Sequence, residues 1–175
     1  MKELNNSYKK VVAPPMRVLG VDPGYERLGV AIVEKDPKGK EVLIYSDCIR
    51  TDKKLPHPER LAIIADALTG LIEEYRPNIL ATETLFFENN QKTAMKVSEA
   101  RGVIIASAST RGLRVCEYTP LQIKMATTGD GRADKKQMVR MIPLLIKFSK
   151  PKMLDDEYDA VAIALTCLAS EKVLR

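Results

Sequence analysis

The chain has 175 residues, of which 45% are apolar and 29% are charged, which is typical of a globular domain with one buried core. One histidine and three widely spaced cysteines (Cys48, Cys116, Cys167) argue against a histidine triad and a zinc site. No apolar run approaches the ~20 residues that cross a bilayer. We expect a cytoplasmic protein with reduced thiols, a flexible N-terminal arm at 1–15 without a secretory signal, and one domain at 16–175.

The hydrophobic pattern predicts an antiparallel meander followed by strand–helix–strand units. Strands are predicted at 16–22, 28–34, 41–50, 78–84 and 113–118, and helices at 57–75, 91–110, from Pro120, at 134–142 and from 154 onward. Pro143 is expected to interrupt the fourth helix. Because crossovers between parallel strands are right-handed and need a helix, this order predicts an α/β fold. Its core is a five-stranded mixed sheet, with three antiparallel strands and then parallel strands, flanked by helices.

Two acids end apolar strands of this predicted sheet. Asp22 follows "VLGV", and Glu83 lies in "LATET". If the first and fourth strands are neighbours, both carboxylates converge at the strands' carboxyl ends, where sites of such sheets gather. Each acid alone has a structural explanation, since Asp22 before Pro-Gly is a good turn residue and Glu83 suits an exposed strand end.

The closing helix, "LDDEYDAVAIALTCLA", begins with four acids before a long apolar run. Because consecutive helical residues turn by about 100°, Asp159 shares a face with either Asp155 or Asp156, whereas Glu157 points away and is expected to be solvated. Capping and the helix dipole explain one or two of these acids but explain Asp159 poorly. Rotation alone leaves Asp155 and Asp156 tied as the partner of Asp159.

A converging set of carboxylates favours Mg²⁺ or Mn²⁺ over zinc. Two such ions about 4 Å apart suit in-line displacement at a phosphodiester. The segment 121–153 has eight basic residues and two acidic ones, which indicates a polyanionic partner such as nucleic acid. A lysine-rich solvated surface would explain the same charge equally well.

Six motifs occur in one order between residues 16 and 170. They are "GVDPG" (20–24), "DCIRT" (47–51), "ETLFFENN" (83–90), "KVSEARG" (96–102), "QIKMATTGDGRADKKQM" (122–138) and "DDEYDAVAIAL" (155–165). Together they resemble the RuvC family of Holliday junction endonucleases. The resemblance implies an RNase H-like fold and a homodimer that nicks four-way junction DNA in symmetric pairs during homologous recombination and DNA repair. It also implies dependence on Mg²⁺, two ions per subunit with Mn²⁺ as a substitute, ends with a 5′-phosphate and a 3′-hydroxyl, and the RuvA–RuvB branch-migration complex as a partner.

The resemblance also assigns residues. Its catalytic and metal-binding acids fall on Asp22, Glu83, Asp156 and Asp159, which leaves Asp155 as the helix cap. Its junction-contacting aromatic falls on Phe86, extended by Phe87, and its phosphate-binding lysines fall on Lys124 and Lys135. Arg132 is a further DNA-binding candidate, in a loop where the family varies. Helix 91–110 carries more apolar residues than one buried face needs, and the resemblance makes part of it the dimer interface.

Two other functions use the same residues. A junction-binding protein that does not cut would need the basic segment but not the four acids. An RNase H-fold nuclease acting on structured RNA would need both. An ATPase of the actin and sugar-kinase type is disfavoured, because the chain has room for one lobe and only one loop like "DPGYERLG".

Overall fold

A computed structural model describes residues 15–84, 91–147 and 153–171, with side chains from Ala94 onward in the helix that starts at Gln91. The predicted arm at 1–15 therefore lies almost wholly outside the described residues. The elements are β1 (Arg17–Asp22), β2 (Arg27–Lys35), β3 (Glu41–Arg50), α1 (His57–Tyr75), β4 (Ile79–Glu83), α2 (Gln91–Ser109), β5 (Arg114–Tyr118), α3 (Pro120–Thr128), α4 (Lys135–Leu145) and α5 (Asp155–Ser170).

The five strands form one mixed sheet in the order β3-β2-β1-β4-β5. The pairs β1–β2 and β2–β3 are antiparallel, whereas β1–β4 and β4–β5 are parallel, which confirms the predicted meander and parallel units. In the β1–β4 register Val21 lies opposite Thr82. Asp22 and Glu83, one residue further along each strand, therefore reach the same edge of the sheet.

Side chains of the central strands alternate between two apolar layers, as the pleat requires. On one side Val18, Ala31 and Val33 pack against α5, while on the other Leu19 and Ile32 pack against α1 and α2. The two layers enclose the sheet between helices, so the strands read as continuous apolar runs.

Helix α5 lies unusually close to the sheet because two strand positions have no side chain. A Cβ built on Gly20 would lie 2.3 Å from the carbonyl oxygen of Ala160, and one built on Gly29 would lie 2.1 Å from that of Asp156. The small residues of the α5 sequence match these glycines, and Ala160–Leu168 is buried throughout. This close approach places the first turn of α5 directly over the end of the sheet.

Helix α4 contradicts the prediction that Pro143 interrupts it. The helix continues through Pro143 to Leu145. The proline lies in the last turn, so it removes only one late helical hydrogen bond, and the buried residues Ile142 and Ile146 on either side hold the backbone in place. The N-terminus is also well capped, by a reciprocal pair of hydrogen bonds between Asp134 and Gln137.

The three thiols are free, with Cys48 and Cys167 buried and Cys116 partly exposed, which agrees with the predicted reduced state. Among the described residues, no helix is both long and apolar enough to cross a membrane.

Candidate active site

The strand-end acids Asp22 and Glu83 occupy the edge of the sheet where β1 and β4 end. Burial raises the pKa of Asp22 from 3.8 to about 7, and repulsion from Asp159, Glu83 and Asp156 adds to the shift. Burial and then Asp159 also raise the pKa of Glu83, while Lys124 opposes the shift. These mutual effects show that the structure brings all four predicted acids into one cluster.

The two helix acids differ from the strand-end acids because each is bound to a cation. Lys135 Nζ, at the start of α4, donates to Asp159 Oδ2 at 2.8 Å and lies 3.9 Å from Asp155 Oδ2. Burial tends to lower the pKa of Lys135, but its hydrogen bond to Asp159 and the nearby acids outweigh this and the pKa is raised. Asp156 forms an ion pair with Arg27 of β2.

The other two acids of the first turn of α5 do not behave as their positions predicted. Glu157 is 4% exposed, and its carboxylate accepts from Ser46 Oγ at 2.6 Å and from the Leu154 backbone N–H at 3.1 Å. The prediction that Glu157 is solvated was wrong, because the face opposite Asp155 and Asp159 turns toward β3. Asp155 is exposed and is the first helical residue rather than the cap, which is Leu154.

A cleft of about 250 Å³ opens beside the acids between α3, α4 and α5. Its walls carry Glu83 and Asp159 together with both predicted phosphate-binding lysines, Lys124 and Lys135. Arg132 is exposed in the α3–α4 loop and does not line the cleft. Phe86 and Phe87 lie outside the described residues.

In this arrangement the acids do not form a ready-made metal cage. Among the described residues, no group of three or more histidines, cysteines or acids is placed to hold a metal ion. The reason lies in the pairing of the helix acids, since Arg27 and Lys135 draw their carboxylates to either side. The raised pKa values of the strand-end acids nevertheless show that their negative charge is poorly balanced, and a bound cation would lower those pKa values, so the donor set fits a divalent ion once the helix side chains turn inward.

Three contacts in the site were not predicted from the sequence. Arg27 holds Asp156, the Cys48 thiol lies 3.6 Å from the same carboxylate, and Arg101 Nε donates to the Glu83 carbonyl oxygen at 3.4 Å. The glycine in "RLGVAIVE" was the available signal for the first two, because glycine inside a strand often marks the close approach of another backbone.

The mixed sheet with carboxylates at the ends of β1 and β4 and on the helix packed across it defines an RNase H-like nuclease domain. The family model described as "Crossover junction endodeoxyribonuclease RuvC" matches residues 18–167. The chain belongs to this RuvC family of endonucleases.

Individual relatives agree in sequence and in structure. The crossover junction endodeoxyribonuclease RuvC of Finegoldia magna is 45% identical over 157 residues, covering 90% of this chain and 95% of that protein. The structure of Thermus thermophilus RuvC superposes with a TM-score of 0.79 at 32% identity, covering 86% of this chain and 92% of that one. The same protein in complex with a Holliday junction substrate gives a TM-score of 0.80 at 31% identity and the same coverage.

Proposed function

We propose that this protein is a Holliday junction resolvase that introduces paired symmetric nicks in four-way junction DNA during homologous recombination and DNA repair. One observation carries the proposal. In a chain of the RuvC family, four acids gather at one end of the sheet beside a cleft that carries two lysines: the acids are Asp22, Glu83, Asp156 and Asp159, and the lysines are Lys124 and Lys135. In a protein that only binds junctions, four carboxylates at this position would repel the DNA phosphates and lower the binding affinity.

The four carboxylates are the groups that would hold Mg²⁺, two ions per subunit, with Mn²⁺ able to substitute. When bound, such ions activate water and stabilise the leaving oxygen of the phosphodiester, which yields a 5′-phosphate and a 3′-hydroxyl. The residues support this role through chemistry, since all four offer hard oxygen ligands. The partly buried Asp22, whose pKa is raised to about 7 by burial and by like charge, becomes more acidic when a cation binds beside it.

The lysines of the cleft supply the complementary charge. Lys124 lies near enough to Glu83 to lower its pKa, and Lys135 bridges Asp159 and Asp155. On the proposed function, both turn toward phosphates of the cleaved strand when ions take over the carboxylates. Exposed Arg132 contacts the DNA further from the cut, and Phe86 and Phe87 stack at the open centre of the junction.

A homodimer would place two such sites about one axis, matching the symmetry of the junction. Helix α2 supports this arrangement because its Ala100, Ile104 and Ala108 are buried in the monomer while Met95 is 72% exposed. The proposed setting is the cytoplasm, where free thiols persist, with the RuvA–RuvB branch-migration complex as a partner.

A cleavage assay with a synthetic, end-labelled four-way junction tests the proposal. We expect the wild type with Mg²⁺ to release nicked duplexes in symmetric pairs, and Asp22→Asn to bind the junction without cutting it. Linear duplex of the same sequence and a structured RNA serve as parallel substrates. Equal cutting by wild type and Asp22→Asn, or cutting of the RNA in preference to the junction, would contradict the proposal.

A further inference from the structure

The sheet edge that carries the acids also carries a pair of arginines on the side away from the lysine cleft. In the antiparallel register of β2 and β3, Arg27 lies directly opposite Arg50. Side chains at paired positions lie on the same face of a sheet, and like charges placed there repel. This repulsion between Arg27 and Arg50 is relieved when both guanidinium groups bind the same anion.

The pair lies on the face that packs against α5. Cys48 and Ser46, two and four residues before Arg50, contact Asp156 and Glu157 of that helix. Because side chains alternate along a strand, Arg50 lies on the same face, beside the first turn of α5. The arginine pair and the acid cluster therefore share one rim of the molecule.

The two arginines differ in how their charge is balanced. Arg27, whose side chain is 49% exposed, holds Asp156. Arg50 is exposed, and its side chain has no hydrogen bond or ion pair with any residue in the described part of the chain. Arg50 is thus a free guanidinium at the edge of the site.

Nearby acids are already engaged. The Glu26 carboxylate is paired with Lys53 at 3.1 Å, and Asp52 Oδ1 accepts from the Lys54 backbone N–H at 2.9 Å. Lys53 and Lys54 also add positive charge in the loop that follows β3. The part of the rim around Arg50 is consequently electropositive, although the acid cluster lies only two strands away.

The sheet itself gives the spacing. Neighbouring strands lie about 4.8 Å apart, and Arg50 lies two residues, or about 6.7 Å, beyond Cys48, which is level with Asp22 through Gly29, so the backbone of Arg50 lies roughly 12 Å from that of Asp22. One DNA strand advances about 3.4 Å per nucleotide along the duplex axis, so this span corresponds to roughly three or four nucleotides. The lysine cleft lies beyond β4, so a strand crossing the acids would meet cations on both sides.

We infer that Arg27 and Arg50 form a second phosphate-binding site, which binds the backbone of the cleaved strand about three or four nucleotides from the cut, on the side opposite the lysine cleft. Arg50 binds the phosphate directly. Arg27 joins it when Asp156 is released from their ion pair. The inference rests on the proposed function, because it takes the acids as the place of cleavage.

The salt dependence of junction binding tests this site separately from catalysis. Binding of the full chain to a fluorescent four-way junction is measured by anisotropy in EDTA over a series of KCl concentrations. We expect Arg50→Gln to weaken binding at every junction sequence and to reduce the slope of log K against log [salt] by about 0.9 per bound subunit. Arg50→Lys should retain the slope of the wild type.

Arg111→Gln is the matched control, since Arg111 is an exposed arginine at the opposite end of the sheet, before β5, and its loss removes the same charge. Its slope should equal that of the wild type. Circular dichroism checks the fold of each variant, and Arg50→Met replaces Arg50→Gln if the latter does not fold. A wild-type slope in the Arg50 variant, or an equal reduction in Arg111→Gln, overturns the inference.

A neutral methylphosphonate placed singly along the cleaved strand locates the contact. We expect it to weaken wild-type binding when it lies about three or four nucleotides from the cut and to have no further effect on Arg50→Gln. If the wild type binds and cuts junctions but shows no such coupling, the arginine site is wrong and the proposed function stands. If the wild type neither binds nor cuts them, both fail.

Discussion

The acids at the strand ends and those on α5 differ in whether a basic side chain balances their charge. The strand-end acids are Asp22 and Glu83, and the helix acids are Asp156 and Asp159. Within the described residues, neither strand-end side chain has an ion pair, and burial raises the pKa of both. Each helix acid has a basic partner, Arg27 or Lys135. The charge of Asp22 and Glu83 is therefore poorly balanced in the folded protein, and on the proposed function a cation would balance it. Asp156 and Asp159 are balanced by Arg27 and Lys135, which a bound cation would displace.

The largest expected effect separates the acids of the first turn of α5. Asp156→Asn and Asp159→Asn should each slow junction cleavage by about 10³-fold or more, because losing an ion's ligand removes several kcal/mol of transition-state stabilisation. The cleavage rate of Asp155→Asn should stay within about threefold of the wild-type rate. Asp155 is exposed, and its carboxylate comes no nearer than 3.9 Å to Lys135 Nζ. Single-turnover rates on one junction measure all three, and a strong loss in Asp155→Asn would reverse the assignment of the helix pair.

Gly29 tests whether the close approach of α5 holds the helix acids in place. Gly29→Ala puts a methyl group 2.1 Å from the Asp156 carbonyl oxygen, so we expect a loss of about 3 kcal/mol in the free energy of unfolding together with weaker cleavage. Gly70→Ala in α1 meets nothing within 4 Å and should be neutral or slightly stabilising. Urea denaturation of both variants gives the comparison, and equal stabilities would show that α5 can move away at no cost.

The strand-end acids predict a pH dependence in the metal-free protein. Because the folded state raises the pKa of Asp22 from 3.8 to about 7, folding favours its protonated form. The resulting stability is complete below pH ~4 and is lost as the pH rises to about 7. Asp22→Asn removes this loss, so it should be more stable than the wild type by about 2 kcal/mol at pH 8, which is a gain of roughly 4–8 °C in Tm.

At pH 4 the two proteins should unfold at similar temperatures, because Asp22 is then protonated in the folded wild type. Adding Mg²⁺ at pH 8 should stabilise the wild type more than Asp22→Asn. Thermal scans in EDTA and in Mg²⁺ at both values of pH measure these differences. A wild type as stable as the variant at pH 8 without metal would show that Asp22 carries no unrelieved charge.

The smallest expected effect concerns the face of α5 that turns toward β3. Glu157→Gln keeps the size of the side chain but weakens its hydrogen bonds from Ser46 and Leu154, which should cost about 1 kcal/mol of stability. Cleavage by the folded variant should be unchanged, because Glu157 points away from the acid cluster. Chemical denaturation combined with the cleavage assay measures both quantities, and a kinetic defect at full stability would place Glu157 in the catalytic machinery.

The sequence by itself determined the sheet, the two strand-end acids and the candidate helix acids. Apolar runs of strand length, and a long apolar helix that opens on acids, are local patterns that burial enforces wherever these segments pack. Strand and helix boundaries consequently agreed with the structure to within one or two residues except at α3 and at Pro143, where the preserved helix depends on packing of its neighbours. The motif spacing, which no single element contains, was needed to prefer Asp156 over Asp155.

Only the tertiary structure decided which partner each acid has. Glu157 was predicted from helical rotation to face solvent, but that face meets Ser46 across more than a hundred residues of chain. In the same way Arg27 at the start of β2 and Arg50 at the end of β3 are separated along the chain by both strands and the turn between them, and become neighbours only through the register of the two strands. Periodicity fixes which residues share a face of one element. What lies opposite that face depends on how the elements pack, and at this site Gly20 and Gly29 set that packing by letting α5 approach the sheet.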